Sequence, residues 1–230
     1  MTPVEIVGWA AAFVGTVLGL PQAVRLARTR NVEGMSLPFW QVVLGLNLAW
    51  TAHGIILAKA NLIVTNVFGV VPTLAILVLM ARELLRPLPR VFVPGLLIAA
   101  IMIGVDLVLG TAAFGVVAIW PALFANAGAT LELVRSPRVT GVSPLFLLGS
   151  VLNQALWLAW GLLVPDMGTQ IAAAFTLGIV GLNLLWWAAR KLGLRSFGVP
   201  TRDEVRALLH ARRAEARARR GTAGTGSDAP

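Results

Sequence analysis

The chain has 230 residues, of which 57% are hydrophobic and only 13% charged, and a formal net charge of +9; its mean hydropathy is +0.81. A soluble domain carries about 25% charged residues, so this composition excludes an ordinary water-soluble enzyme and indicates an integral membrane protein. Ten of the nineteen basic residues lie between Arg190 and Arg220, which puts the charge in a tail and short loops rather than a nucleic-acid groove, and the lack of cysteine excludes a disulfide framework and a thiolate metal site.

Apolar runs long enough to cross a bilayer, about 20 residues each, fall at roughly 4–26, 37–58, 62–85, 91–109, 112–134, 143–164 and 168–189. The first follows "MTPVE" with no basic region or small-residue cleavage site, so it reads as a retained helix and not as a signal peptide. The stretch from Val91 to Val134 holds only two charges, Asp106 and, close to its end, Glu132, and is too long for one crossing; a fold-back is expected near Gly110 and Thr111. Arg25, Arg28 and Arg30, then Arg82, Arg86 and Arg90, then Arg135 and Arg138, then the tail all follow odd-numbered crossings, whereas the other connections carry Lys59, Asp166 or no charge. The positive-inside rule therefore puts the N-terminus outside and the tail in the cytoplasm. In the tail, Thr201 and Glu204 match a capping box, and Val205, Leu208 and Leu209 form an apolar stripe among arginines. That pattern suits either a helix lying on anionic lipid or a solvated, frayed helix before a disordered end. Its Ala/Arg richness points to a GC-rich bacterium and so to a plasma membrane.

Sliding the chain by 107 residues without a gap places Arg28 on Arg135, Gly34 on Gly141, Ser36 on Ser143, Phe39 on Phe146, Trp50 on Trp157, Gly54 on Gly161 and Phe68 on Phe175. Each copy is three crossings, and a fourth helix between them restores the starting side. The expected fold is therefore all-α and membrane-integral, with seven transmembrane helices as two parallel three-helix bundles in a 3+1+3 order. The first repeat spans 1–86, the linker helix 87–111, the second repeat 112–190 and the basic tail 191–230.

The Pro21-Gln22 pair, the basic loop with "VEGMS", Trp50 four residues before Gly54 and Asn66 sixteen residues after Trp50 resemble the PQ-loop transporters, specifically the SWEET and SemiSWEET sugar transporters. The resemblance covers roughly 4–190. It implies a small sugar as substrate and prolines in the first two helices of each repeat that let the bundle open and close. Chemistry agrees: a sugar offers C–H faces to an aromatic ring and hydroxyls to an amide. Trp50 and Trp157 are thus expected to hold a sugar ring between them, with Asn66 bonding its hydroxyls; the alternative for the indoles is a place in the interface belt. Ala173 stands where the family's second asparagine would be. His53 and its repeat mate Trp160 are assigned to the substrate site as well, His53 with the alternatives of proton sensing or a purely structural role. Asn47 and Gln154, also repeat-related, line the path or bridge helices.

Pro21 has no N–H for the carbonyl four residues back, so it weakens its helix and acts as a hinge or a terminator, with the Gln22 amide a nearby donor for the freed carbonyl. Pro38 and Pro144, at the starts of the second and sixth helices, complete the hinge set, although a first-turn proline is harmless to a helix. Gly128 and Ala129 stand where the second copy would repeat Pro21 and Gln22. Asp106, in the linker, is expected to snorkel to the outer interface. No phosphate-binding glycine loop, catalytic triad or metal cluster is present in the sequence, so no cofactor, metal or nucleic-acid partner is expected, nor enzymatic activity, and passive facilitated diffusion is the simplest mechanism. Two other readings remain at this stage: a PQ-loop transporter of an amino acid or other metabolite, proton-coupled through His53 or Asp106, and a membrane scaffold or receptor. One chain with both repeats suffices for a pathway; homo-oligomerisation is compatible with it but not required.

Overall fold

The computed structural model describes residues 1–29, 36–135, 143–194, 196–197, 206 and 209–210, with the side chains of 19–27 and 29 outside that description. Seven helices follow in chain order: α1 (Pro3–Thr29), α2 (Leu37–Ile56), α3 (Ala60–Glu83), α4 (Leu88–Leu109), α5 (Thr111–Arg135), α6 (Pro144–Leu163) and α7 (Met167–Lys191). Among the described residues six of them, α2 to α7, are long and apolar enough to cross a membrane, and α1 is 27 residues long. Large apolar side chains point outward along the bundle, Phe13 at 69%, Val108 at 79% and Trp120 at 70% exposure, a surface suited to lipid and not to water. The basic stretches between α1 and α2 and between α5 and α6, and nearly all of the tail with its Thr201–Glu204 box, lie outside the described residues.

The repeat is visible in the caps. Ser36 and Ser143 each accept, through the side-chain oxygen, the N–H three residues on, at 3.3 Å from Phe39 and Phe146, and satisfy one of the orphan donors of a helix start. The turns between α2 and α3 and between α6 and α7 close with the same bond, Lys59 N–H to Gly54 (2.8 Å) and Asp166 N–H to Gly161 (2.9 Å). Packing repeats too: α3 packs on both α1 and α2, and α7 on both α5 and α6. The two bundles meet through α1 against α6 and α2 against α5, and α4 packs mainly on α2. The expected 3+1+3 architecture is the observed one.

The fold-back falls within one residue of its expected place. Gly110 caps α4 at φ 83°, a left-handed conformation that favours glycine, and α5 starts at Thr111. The proline readings divide. α1 runs on to Thr29, so Pro21 does not terminate it; the side chains of Pro21 and Gln22 lie outside the described residues. Pro38 and Pro144 sit in the first turns of α2 and α6, where no helical hydrogen bond is lost. Besides Pro21 in α1, Pro72, Pro94 and Pro121 lie inside α3, α4 and α5.

α4 is bound to α2 by close approach and by polar clamps. A Cβ on Gly95 would lie 2.6 Å from the Gln41 carbonyl oxygen, and one on Gly45 2.9 Å from the Gly95 carbonyl oxygen, so the backbones touch as small residues allow in membranes. The Gln41 side chain donates to the carbonyls of Arg90 (2.9 Å) and Val91 (3.0 Å). Replacing Gly95 with leucine should force these backbones apart and cost about 2 kcal/mol, seen as a lowered melting midpoint of the detergent-purified protein, whereas Gly104→Leu, with no atom within 4 Å of an added Cβ, should leave it unchanged.

Candidate functional site

Every helix but α4 contributes to a cavity of about 650 Å³ between the two bundles. Trp50, Asn66 and Trp157 all line it. Both indoles are held edge-on by neighbouring rings: Trp50 by Phe114 at 4.8 Å and His53 at 5.4 Å, Trp157 by Trp160 at 5.7 Å, the geometry that aromatic quadrupoles favour. Asn66 donates through Nδ2 to the Leu62 carbonyl at 2.8 Å, which fixes its rotamer and leaves its oxygen and second N–H for the cavity. Asn47 and Gln154 line the cavity as well. Trp186, in contrast, donates to the Leu133 carbonyl at 3.2 Å and ties α7 to α5.

His53 and Trp160 are not among the cavity-lining residues. Placed in the substrate site by their repeat relation to each other and their nearness to Trp50 and Trp157, they instead lie behind those tryptophans. His53 is 0% and Trp160 1% exposed. Each reaches from its own bundle into the other. The His53 ring stacks on Phe114 at 4.4 Å and lies 3.3 Å from where a Cβ of Gly168 would stand, while the Trp160 indole occupies the corresponding space at Gly8, beside Asn61. Gly8 and Gly115, and Asn61 and Gly168, are themselves repeat mates. The bundles are thus interlocked by two equivalent insertions, at the end where α2 turns into α3 and α6 into α7.

One insertion is polar. His53 Nδ1 is 2.7 Å from Asp106 Oδ2 and Nε2 is 3.1 Å from Asp166 Oδ2, so the ring bridges a carboxylate on each side. Asp106 belongs to α4, and Asp166 is the N-cap of α7, accepting from the N–H groups of Gly168 (3.1 Å) and Thr169 (3.0 Å). The three residues join the first bundle, the linker and the second bundle. Burial alone would push the Asp166 carboxyl up, but hydrogen bonds from His53 and Thr169 outweigh it and hold it below the usual carboxylate range. Asp106 does not snorkel: it is 6% exposed, because His53 offers it a donor inside the protein. Asp166 is the residue the sequence reading missed. An acid just ahead of an apolar helix, three residues before a threonine, is an N-cap signal, and few charges lie at this end of the chain for His53 to meet.

Among the described residues no cluster of three His, Cys, Asp or Glu side chains could hold a metal ion. Removing one partner from a buried ion network leaves an uncompensated charge and costs about 3 kcal/mol, while replacing the whole network with apolar groups costs far less. His53→Phe should therefore lower the melting midpoint by roughly 6–12 °C, and the triple variant His53→Phe, Asp106→Leu, Asp166→Asn, which keeps the α7 cap, should recover most of that loss.

No family model matches the chain. Sugar transporter SemiSWEET from Escherichia coli (strain UMEA 3162-1) is 30% identical over 86 residues, which are 36% of this chain and 97% of the relative. Sugar transporter SemiSWEET from Bradyrhizobium diazoefficiens is 35% identical over 80 residues, 34% of this chain and 92% of the relative. Among solved structures, a eukaryotic SWEET transporter at 3.7 Å resolution superposes with a TM-score of 0.64 at 16% identity, covering 84% of this chain and 100% of that one. About a third of this chain accounts for nearly a whole SemiSWEET protein, and the seven-helix fold accounts for a whole SWEET chain, so the chain belongs to the SWEET and SemiSWEET family in the form that carries two repeats in one polypeptide.

Proposed function

We propose that the protein moves small sugars, mono- or disaccharides, across a bacterial plasma membrane by alternating-access facilitated diffusion. The observation that carries this reading is the cavity between two repeat-related bundles, with one tryptophan from each, Trp50 and Trp157, and the Asn66 amide on its wall. Indole faces receive the C–H faces of a pyranose, and the amide donates to and accepts from its hydroxyls. The names of the SemiSWEET relatives support the same substrate class. Residues 1–86 and 112–190 are the two moving units and 87–111 the linker between them.

The arginines after odd-numbered crossings orient the chain with its N-terminus outside and its tail in the cytoplasm. In that orientation the His53 and Trp160 insertions close the outer end, and the chain is sealed toward the exterior. Opening outward requires both insertions to withdraw, and opening inward requires neither. His53 lies against Trp50 and Phe114, and neither it nor Asp106 nor Asp166 is among the cavity-lining residues, which favours a bracing role over coupling to a proton gradient.

Counterflow in proteoliposomes, with labelled mono- and disaccharides beside amino acids, tests the reading. Sugar exchange without an ion gradient is expected, and Trp50→Ala and Asn66→Ala should each raise the half-saturating concentration roughly tenfold or more. Exchange of amino acids alone, or of nothing, by folded protein rejects the sugar assignment.

A further inference from the structure

The His53 bridge joins bodies that must part when the outer end opens, and its centre is an imidazole, the side chain whose ordinary titration falls between about pH 5 and 8. Each of its contacts, Nδ1 to Asp106 Oδ2 at 2.7 Å and Nε2 to Asp166 Oδ2 at 3.1 Å, is a hydrogen bond only while a proton lies between the nitrogen and the oxygen. Complete, the bridge holds a proton in each contact, whichever atoms carry them. A neutral imidazole between two ionised carboxylates supplies only one of these protons, and a nitrogen lone pair then faces a carboxylate oxygen.

The surroundings decide which contact fails. Asp166 keeps donors of its own, the N–H groups of Gly168 (3.1 Å) and Thr169 (3.0 Å) at the start of α7, where a helix N-terminus also favours negative charge. Asp106 depends on the ring alone, since its other oxygen, Oδ1, is buried without a partner. A single remaining proton therefore belongs between His53 and Asp106, and the contact to Asp166 is lost. His53 and Asp106 lie on α2 and α4, which the Gln41 clamp and the glycine contacts hold together, whereas Asp166 belongs to the second bundle. Proton loss thus spares the first bundle and cuts the tie between the two. No other charge faces the ring: α5 presents Phe114, α7 presents Gly168, and α3 and α5 carry charge only at their far ends, Arg82, Glu83, Glu132 and Arg135. Glu5 of α1 accepts from the Thr2 N–H, and among the described residues neither Glu5 nor Lys59 pairs with any of the three. Trp160, in the equivalent insertion, does not titrate.

We propose that His53, Asp106 and Asp166 form a pH-sensitive latch on the outer end: a proton taken up from the exterior completes the bridge and closes it, and loss of that proton releases the second bundle. The proposal rests on the alternating-access reading, in which this end faces the exterior. Below about pH 6.5 a freed, hydrated imidazole also carries both protons, so the open and closed forms hold the same number and their balance does not move. Above that value opening releases one proton, and the ratio of open to closed rises by up to tenfold per pH unit. None of the three residues lines the cavity, so the proton returns to the side it came from. External pH then sets how often the outer end opens, and a pH gradient does not drive the substrate.

The chain has no cysteine, so Ala58→Cys in the turn after α2 and Met167→Cys at the start of α7, both exposed, place a pair of spin labels across the outer end. Pulsed electron paramagnetic resonance reads their separation in full-length protein, in nanodiscs of zwitterionic lipid without sugar, from about pH 5.5 to about pH 8.5. The population at longer distance should be constant below about pH 6.5 and grow above it, by up to tenfold per unit. Asp106→Asn supplies from its amide the proton that the carboxylate lacks, so its longer-distance population should stay low at every pH. His53→Phe should raise that population and remove its pH dependence; His53→Gln, which cannot titrate either, removes the pH dependence should the phenylalanine variant not fold. His210→Gln, in the tail, should titrate like the wild type. A wild-type distribution that does not change with pH, or one that changes equally in Asp106→Asn and in the His53 variants, overturns the latch and leaves the sugar reading standing. A distance that follows pH as expected in protein that exchanges no sugar supports the latch and overturns the sugar reading.

Discussion

His53 sits where lipid and apolar side chains offer nothing to a polar ring, and a group of that kind persists in a membrane only when the protein supplies its partners. Both partners come from outside its own bundle, Asp106 from α4 and Asp166 from the connection into α7. That single bridge therefore fixes three parts of the chain relative to one another at one end of the molecule. The far end of α4 is held by Gln41, so the linker is clamped to α2 near both its ends and behaves as a fourth helix of the first bundle. With the linker fixed in this way, the cavity is left between two bodies of unequal make-up.

Duplication supplied the frame, and divergence supplied the chemistry. The serine caps, the turns after α2 and α6 and the glycine contacts at Gly8 and Gly115 recur in both copies, because each serves a backbone requirement that does not depend on what occupies the cavity. The paired insertions show where the copies part. Trp160 fills its place by area and shape; His53 fills the equivalent place by charge, and the partners it needs arose in a linker with no counterpart and at a position, Asp166, whose repeat mate is Lys59. A symmetric pair of such bridges is ruled out by that difference in sign.

Much of this was legible in the sequence. Crossings of about 20 apolar residues give the seven helices, the glycine at 110 gives the fold-back, and a gap-free shift of 107 residues gives the architecture. Trp50, Asn66 and Trp157 were assigned to one site, and they do share one cavity. The His53 bridge was not legible, because its members lie 53 and 113 residues apart in the chain and nothing local pairs them. Asp166 read as a loop charge and Asp106 as a snorkelling one, since the sequence shows the cost of a buried acid without showing its partner. Trp160 was misplaced for a different reason. A residue three positions along a helix from a cavity-facing one is turned by about 60°, enough here to carry both His53 and Trp160 from the cavity wall into the contact between bundles.

The asymmetry extends to where the helices are weak. A proline inside a helix removes a backbone hydrogen bond and is where bending is easiest. The first bundle has Pro21 in α1 and Pro72 in α3, and the second has Pro121 in α5; none of these falls on another under the 107-residue shift, since Pro21 meets Gly128 and Pro72 meets Ile179. Pro72 also lines the cavity, so bending there changes the cavity directly, whereas Pro121 bends a helix whose contact with α2 lies on the braced side of the molecule. α1 and α3 are the two helices of the first bundle that α4 grips least, and α2 is the one it grips most.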